Sequence, residues 1–314
     1  MVIDTVRKSV NIINPVSPTT IFGWPAVLFS LPFIGIGTYI ALTALKIIPS
    51  LGRPQSYNVS RELVAAFGGL FVMAGLAVLI HGFISLRDQS HRQRLLLKYP
   101  DQSWLADYRW NPKGIAGDEL RKVYKTFGGA IGIIIFFIPF NWFAFFTKDI
   151  PSIFAVFVGF FDFFIILGLA YGSYLFLRFL KYGTSFLQFN QFPFFLDDKV
   201  DAVLNTEAIK GLKDMVVTLR CIEEKYETRG TGRNRSTVIV SYQIYADSVK
   251  FDNAGQSQHM RLYLPVSFPL PRDLNYNTAL SVRPAKYWQM ELKAATPGIN
   301  YLSTFLIPVY VRNG

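Results

Sequence analysis

The chain has 314 residues, of which 51% are hydrophobic and 29 are Phe, and its formal net charge is +11. Apolar runs long enough to cross a bilayer argue against an ordinary soluble protein. The positive charge lies beside these runs, where attraction to anionic lipid explains it, so we expect membrane lipids and no nucleic acid as partners. The single cysteine, Cys221, excludes an intrachain disulfide and suits a reducing compartment.

The first apolar residues recur at steps of three and four, at Val2, Ile3, Val6, Val10 and Ile13. This spacing is typical of an amphipathic helix that lies in the membrane interface. We therefore predict an interfacial helix within residues 1–23. A frayed tail with accidental periodicity is the alternative.

Four apolar runs follow, and they predict four transmembrane helices in a membrane domain of residues 24–184. The runs are Trp24–Ile48, Leu63–Leu86, Val123–Phe146 and Ile153–Leu177. Between the second and third lies a polar stretch, residues 87–122, which we name the central segment. Its basic residues, together with Lys125, are Arg87, Arg92, Arg94, Lys98, Arg109, Lys113, Arg121 and Lys122.

Short loops rich in Lys and Arg stay on the cytoplasmic side of a membrane. The central segment is therefore expected inside, which places both termini in the cytoplasm. The sequence accordingly predicts a multi-pass protein of the bacterial inner (cytoplasmic) membrane.

Small residues recur four positions apart in all four runs, which lets helix backbones approach closely. We expect this packing either within the chain or between copies in a homo-oligomer. The pairs are Gly37 and Ala41, Ala65 and Gly69, Gly128 and Gly132, and Gly168 and Gly172.

Asp162 is an acidic residue deep inside the fourth run, and such residues suggest function by default. Counting from the cytoplasmic ends puts Thr38 and Tyr39 at about the same depth. Hydroxyl partners and a low dielectric would favour a neutral, structural acid. Ion or proton transport is the alternative.

Two tryptophans distinguish the central segment, Trp104 and Trp110, with Arg109 beside the second. Exposed indoles are unfavourable in water, and Arg109 could stack on either ring. Because the following hinge, Lys181–Thr184, is short, we predict that Trp104 or Trp110 contacts the C-terminal domain or that hinge. Plain anchoring in the membrane interface is the alternative.

Beyond residue 185 the hydrophobic pattern changes to strict alternation, as in Met215, Val217, Leu219 and Cys221. Seven such strands in residues 185–314, separated by turn signals, predict an antiparallel β-sandwich in the cytoplasm. One hairpin tip carries Arg229, Arg233 and Arg235. These guanidiniums either stay solvated or bind an anion, a lipid phosphate or an acidic partner.

Two groups of residues resemble known proteins. One group looks like an arrestin-like or immunoglobulin-like sandwich over roughly residues 185–312; it comprises Val217–Cys221, Tyr242–Tyr245, Phe268–Asp273, Tyr287–Trp288 and Ile307–Tyr310. Tyr99–Trp104 and Arg109–Asn111 are similar to the Pro/Trp-containing cytoplasmic loop of uncharacterised bacterial multi-pass inner-membrane proteins. That resemblance implies a sandwich after the last helix and a membrane location, and it implies no activity.

No catalytic motif or metal-ligand spacing is evident in the sequence. His81, His91 and His259 are far apart, and Cys221 falls on the core face of a predicted strand. We therefore expect a non-catalytic α+β scaffold or adaptor subunit that needs no cofactor and binds a protein partner. A small transport or channel subunit that uses Asp162 is the alternative.

Overall fold

The structure is a computed structural model that describes residues 8–10, 23–49, 61–147, 152–207, 213–230, 235–251 and 261–312. It is an α+β protein in which four long apolar helices precede antiparallel sheets. The chain divides into two compact units. The helical unit is Thr20–His91 with Tyr124–Ser173, and the sheet unit is Met1–Thr19, Arg92–Val123 and Tyr174–Gly314.

Four helices are long and apolar enough to cross a membrane. They are α1 (Trp24–Ala44), α2 (Arg61–Lys98), α4 (Glu119–Phe146) and α5 (Ser152–Tyr182), and the short α3 (Ser103–Asp107) lies between α2 and α4. Each of the four long helices overlaps one predicted apolar run.

α2, α4 and α5 extend beyond their apolar runs at the polar ends, whereas α1 ends at Ala44, before the predicted Ile48. α2 continues from Leu86 to Lys98 because the Arg, Gln, Leu and Lys residues there favour a helix and the next helix breaker is Pro100. α5 continues to Tyr182, so the prediction of a hinge over Lys181–Thr184 is wrong in its first half. Gly183, with φ 64°, ends α5 by donating its N–H to the Phe179 carbonyl at 2.8 Å.

Close glycine contacts pack α1 against α2. A Cβ added to Gly68 would lie 2.6 Å from the Ala41 nitrogen, and one added to Gly37 would lie 2.6 Å from the Gly68 oxygen. Gly75 meets Ile34 in the same way. Gly37 and Ala41 therefore pack as small residues, but their partner on α2 is Gly68.

The other predicted small residues behave differently. A Cβ on Gly69, Gly128, Gly132 or Gly168 would meet no atom within 4 Å among the described residues. One on Gly172 would lie 3.3 Å from the Thr126 methyl carbon, which is tighter than most Cβ contacts, so Gly172 lies close to α4. Ala65 is half-buried.

Eleven strands are described, and they form two main sheets. A five-stranded sheet has the order β1-β7-β6-β9-β10, and a four-stranded sheet has the order β2-β3-β5-β8. A short parallel pair joins β11 to β4. The strands are β1 (Lys8–Val10), β2 (Gly114–Ala116), β3 (Phe186–Phe189), β4 (Phe194–Phe195), β5 (Lys199–Glu207), β6 (Lys213–Arg229), β7 (Ser236–Phe251), β8 (Arg261–Pro269), β9 (Lys286–Ala295), β10 (Tyr301–Ile307) and β11 (Val309–Tyr310).

Alternate residues of both sheets share one apolar core, which makes the region sandwich-like. Val200 and Leu204 of β5 and Leu219 and Trp288 of β6 and β9 are fully buried in it. The predicted antiparallel alternation is therefore confirmed. β5 was missed, although Val200, Ala202 and Leu204 are buried and alternate with half-buried residues such as Asp201.

The N-terminal prediction is wrong where the structure describes it. Lys8–Val10 is a strand that pairs with Ser241–Gln243 of β7, whereas an interfacial helix was expected. A sheet edge offers unpaired backbone groups that an extended segment satisfies, and this pairing outweighs helical spacing. The rest of residues 1–22 lies outside the described part of the chain.

Candidate functional site

The central segment is bound to the sheets by a buried polar cluster, which we name the polar anchor: Asp107, Trp110 and Tyr310. The Asp107 side chain is 5% exposed and accepts the Tyr310 hydroxyl and the Leu280 N–H, each at 2.9 Å. Its other oxygen accepts the Ser281 N–H. The Tyr310 hydroxyl in turn accepts from Trp110 Nε1 at 2.9 Å.

Position and charge explain why the polar anchor is strong. Asp107 is the last residue of α3, and the chain turns to extended backbone at Tyr108, which carries Trp110 onto Tyr310. A carboxylate that accepts several N–H and O–H groups holds them firmly. Burial raises the pKa of the Tyr310 hydroxyl, and the neighbouring Asp107 charge raises it further, so the hydroxyl remains a donor.

Both tryptophans contact residues of the C-terminal strands, as the sequence predicts for at least one of them. The Trp104 ring centroid lies 6.1 Å from those of Phe195 and Tyr310. The ring centroids of Trp110 and Tyr108 lie 4.6 Å apart, and the ring planes are tilted by 54°. Together Tyr108 and Trp110 cover an apolar cluster formed by Ile222, Leu280, Ala285 and Tyr287. Arg109, between them, is exposed.

The central segment also adds a strand to a sheet. β2 pairs antiparallel with Phe186–Gln188 of β3. Gly114 has φ 143°, and a Cβ there would collide with the Leu187 carbonyl oxygen, so this approach requires glycine. The structure thus groups Arg92–Val123 with the sheets, whereas the sequence assigned residues 87–122 to the membrane domain.

The start of α4 and the end of α5 meet the same hairpin, β9–β10. Lys122 donates to the Thr304 hydroxyl at 3.2 Å and pairs with Asp118 at 2.7 Å. Lys181 donates to the Pro297 carbonyl at 2.7 Å. The Tyr182 hydroxyl is bonded to the Ile299 carbonyl as well. These helix ends are thereby held against one β-hairpin.

Buried polar residues lie behind this hairpin. The Tyr301 hydroxyl lies 2.6 Å from Ser185 Oγ, and burial raises the Tyr301 pKa to about 12. Glu119 is 5% exposed, and neither of its carboxyl oxygens has a hydrogen-bond partner among the described residues.

Inside the helical unit, Asp162 has a partner that the sequence analysis missed. Asn141 Nδ2 of α4 donates to Asp162 Oδ1 at 3.0 Å and to the Phe137 carbonyl at 3.2 Å. The only available signal was that Asn141 is a polar side chain within an apolar run. Thr38 is exposed on α1, and Tyr39 is half-buried.

The remaining candidates show no assembled site in the residues that can be described. Arg229 is exposed and lies 3.8 Å from Glu227, and Arg235 is exposed too; Arg233 lies outside the described residues. No group of three potential metal ligands occurs among the described residues. Cys221 is buried, and burial raises the pKa of its thiol.

Comparison with known proteins leaves the chain without a family. No family model and no curated protein matches it. Spo0M, a sporulation control protein from Bacillus subtilis, matches at 15% identity and a TM-score of 0.25, over 40% of this chain and 49% of that one. A DUF4466 family protein from Parabacteroides merdae matches at 7% identity and a TM-score of 0.22, over 40% and 44% of the two chains. The matches span about half the length of those proteins. Such weak similarity supports no inference about function.

Proposed function

We propose that this protein is a non-catalytic scaffold or adaptor of the bacterial inner membrane, whose sheet unit binds another protein in the cytoplasm. Four helices of sufficient length and apolarity support membrane anchoring. The basic residues of the central segment support a cytoplasmic position for it and for the sheets. An arrestin-like sandwich is the finer fold that we propose for residues 185–314.

The observation that carries this proposal is the pairing of β1 with β7. β7 pairs with β6 along its length, but on its other edge β1 covers only Ser241–Gln243. Among the described residues no strand pairs with the rest of that edge, including Ala246–Phe251. An edge that already takes an extended segment of its own chain can take one from a partner by β-strand addition.

The contacts of the central segment support the same role. The polar anchor, β2 and the Lys122 and Lys181 contacts attach helix ends to the sheets within one compact unit. A binding surface held in this way loses little conformational freedom when a partner binds.

Site-specific photo-crosslinking in cells tests partner binding. A benzophenone amino acid at Lys250, exposed on β7, should give a defined protein adduct in the membrane fraction. The same group at Tyr263, exposed on β8, is the matched control and should not give it. Equal adducts from both positions, or none from Lys250, would contradict binding at the β7 edge.

Orientation is tested separately by cysteine labelling in a Cys221→Ser background. A cysteine at Ser56, which lies outside the described residues, should react with an impermeant reagent added outside the cell. A cysteine at Ser236, exposed at the start of β7, should react only after the cells are opened. The reverse result would overturn the proposed topology.

The transport alternative makes a different prediction for Asp162. If the protein is a scaffold, Asp162→Asn leaves assembly with its partner intact, because the amide oxygen can still accept the hydrogen bond from Asn141. Loss of a proton or cation flux in proteoliposomes, with the fold retained, would instead favour a transport or channel subunit.

A further inference from the structure

An apolar groove of about 430 Å³ lies between α4 and α5, at the Asn141–Asp162 pair. Its volume falls in the range of small-molecule sites, which are mostly apolar with a few convergent polar groups. The apolar side chains that line it include Ile134, Ile138, Trp142, Ile165 and Ile166. The groove therefore has the composition of a ligand site and two polar groups at one place in it.

Hydrogen-bond accounting shows which chemistry those two groups offer. Both N–H groups of the Asn141 amide are used, one by Asp162 Oδ1 and one by the Phe137 carbonyl. If the Asn141 amide were flipped, its oxygen would face the Phe137 carbonyl and Asp162 Oδ1, which are both acceptors. The contacts therefore fix the orientation of the amide. Asn141 Oδ1 and Asp162 Oδ2 are then two oxygens without a partner among the described residues.

The surroundings make these two unpartnered oxygens significant. α4 and α5 are both apolar enough to lie in a bilayer, where no bulk water reaches. An acceptor left without a donor in such surroundings is costly, and acyl chains carry no donor. A guest that brings a donor to this point removes that cost.

We propose that this groove binds a membrane-soluble molecule with an apolar body and one hydrogen-bond-donating head group, a hydroxyl or an amine. The head donates one hydrogen bond to Asn141 Oδ1 and shares a second hydrogen bond with Asp162 Oδ2. The body lies along the isoleucines and against Trp142, which is 60% exposed. This site is independent of the β7 edge and goes beyond the scaffold function.

Photoaffinity labelling of the full chain in lipid nanodiscs tests the site. Three diazirine probes share one alkyl chain and end in a hydroxyl, an amine or a methyl group. The hydroxyl or amine probe should label α4–α5 peptides about tenfold more than the methyl probe, since one hydrogen bond contributes about 1.4 kcal/mol. The better of the two polar probes identifies the head group.

Variants separate this site from non-specific lipid contact. Asp162→Leu should clearly lower labelling by the polar probe, because it removes one of the two polar partners, and Asp162→Asn, which keeps one oxygen, should lower it less. Ser173→Ala is the matched control on α5, because that hydroxyl bonds to its own helix at Leu169 and lies outside the groove. Its labelling should match wild type.

Three results would overturn the proposal. Equal labelling by the methyl and polar probes would mean a groove filled by ordinary lipid. Labelling unchanged in Asp162→Leu and Asp162→Asn would place the probe elsewhere. Crosslinks through the groove to a second copy of the chain, with no probe labelling, would make the groove a dimer contact. None of these results would affect the crosslink at Lys250.

Discussion

Asp107 and Tyr310 are separated by 203 positions in the chain, and their side chains share a buried hydrogen bond of 2.9 Å. One belongs to the segment between the second and third apolar helices, and the other lies in the last strand. This bond is therefore part of what makes the central segment and the sheets a single unit.

Removing the carboxylate of Asp107 should release the central segment. Asp107→Ala leaves the buried Leu280 N–H and the Tyr310 hydroxyl without their acceptor, which costs about 2–4 kcal/mol. We expect faster tryptic cleavage at Arg109 and Lys113, with the helices intact by circular dichroism. Asp101→Ala, at an exposed position of the same segment, is the control. If both variants were cleaved at the same rate, Asp107 would not hold the segment.

The two tryptophans should contribute separately to this attachment. Trp104→Ala removes the ring contacts with Phe195 and Tyr310, and Trp110→Ala removes a hydrogen bond and an apolar cover. We expect about 3 kcal/mol of local destabilisation from each, and faster proteolysis of the central segment and near Lys181. Trp110→Phe keeps an aromatic ring but loses the N–H donor. Its cleavage rate should therefore lie between those of wild type and Trp110→Ala. If the variant with both Trp104→Ala and Trp110→Ala were cleaved at the wild-type rate, the two indoles would serve only as anchors in the membrane interface.

Neighbouring glycines of α2 should differ sharply in their tolerance of a methyl group. Gly68→Ala places a Cβ 2.6 Å from the Ala41 nitrogen and should destabilise the helical unit by about 1–3 kcal/mol. Gly69→Ala meets no described atom within 4 Å and should have no such effect. Melting temperatures in detergent, followed by circular dichroism, measure both. Equal melting temperatures would show that the α1–α2 contact does not depend on Gly68.

Cys221 should be unreactive in the native protein. Its thiol is fully buried, and burial raises its pKa, so the reactive thiolate is scarce and inaccessible. Labelling by a maleimide should therefore require unfolding of the sheet unit. An exposed cysteine at Ser236 in the Cys221→Ser background sets the reference rate. A native Cys221 that reacted as fast as this reference would contradict the described core.

Alkaline pH should destabilise the sheet unit through Tyr301. Burial raises the pKa of Tyr301 from its ordinary value of 10.0 to about 12 in the folded state. The unfolded chain therefore ionises first, and stability that is complete below pH 10 falls as pH rises from 10 to 12. The slope expected from one group is about 1.4 kcal/mol per pH unit. Urea unfolding at pH 9 and 11 measures how much the free energy of unfolding falls with pH. This fall should be smaller in Tyr301→Phe than in wild type. An equal fall in both proteins would exclude Tyr301 as its source.

Particular elements show where the sequence was sufficient to predict the structure. Local composition identifies α1 and the other long helices, because an apolar run of this length has few other stable states. Alternation identifies β6 and β9, because a strand buried on one face must place every second residue in the core. The expectation that a tryptophan of the central segment contacts the sheets came from the cost of leaving an indole in water. These arguments need only neighbouring residues and the solvent.

The tertiary structure alone decided which distant groups meet. Lys8–Val10 and Gly114–Ala116 are too short and too mixed to read as strands, and they become strands because a sheet edge offers them backbone partners. Nothing in the local sequence distinguishes Asp107 from Asp101, and only the fold brings Tyr310 to Asp107. In the same way, nothing local distinguishes Gly68 from Gly69, and only the fold brings α1 to Gly68. The sequence by itself determined the long apolar helices and the strongly alternating strands, since hydrophobic burial acts along each of these segments. Only the packed chain decided the hydrogen-bond partners of Asp107 and Asp162, since those depend on geometry between segments that lie far apart in sequence.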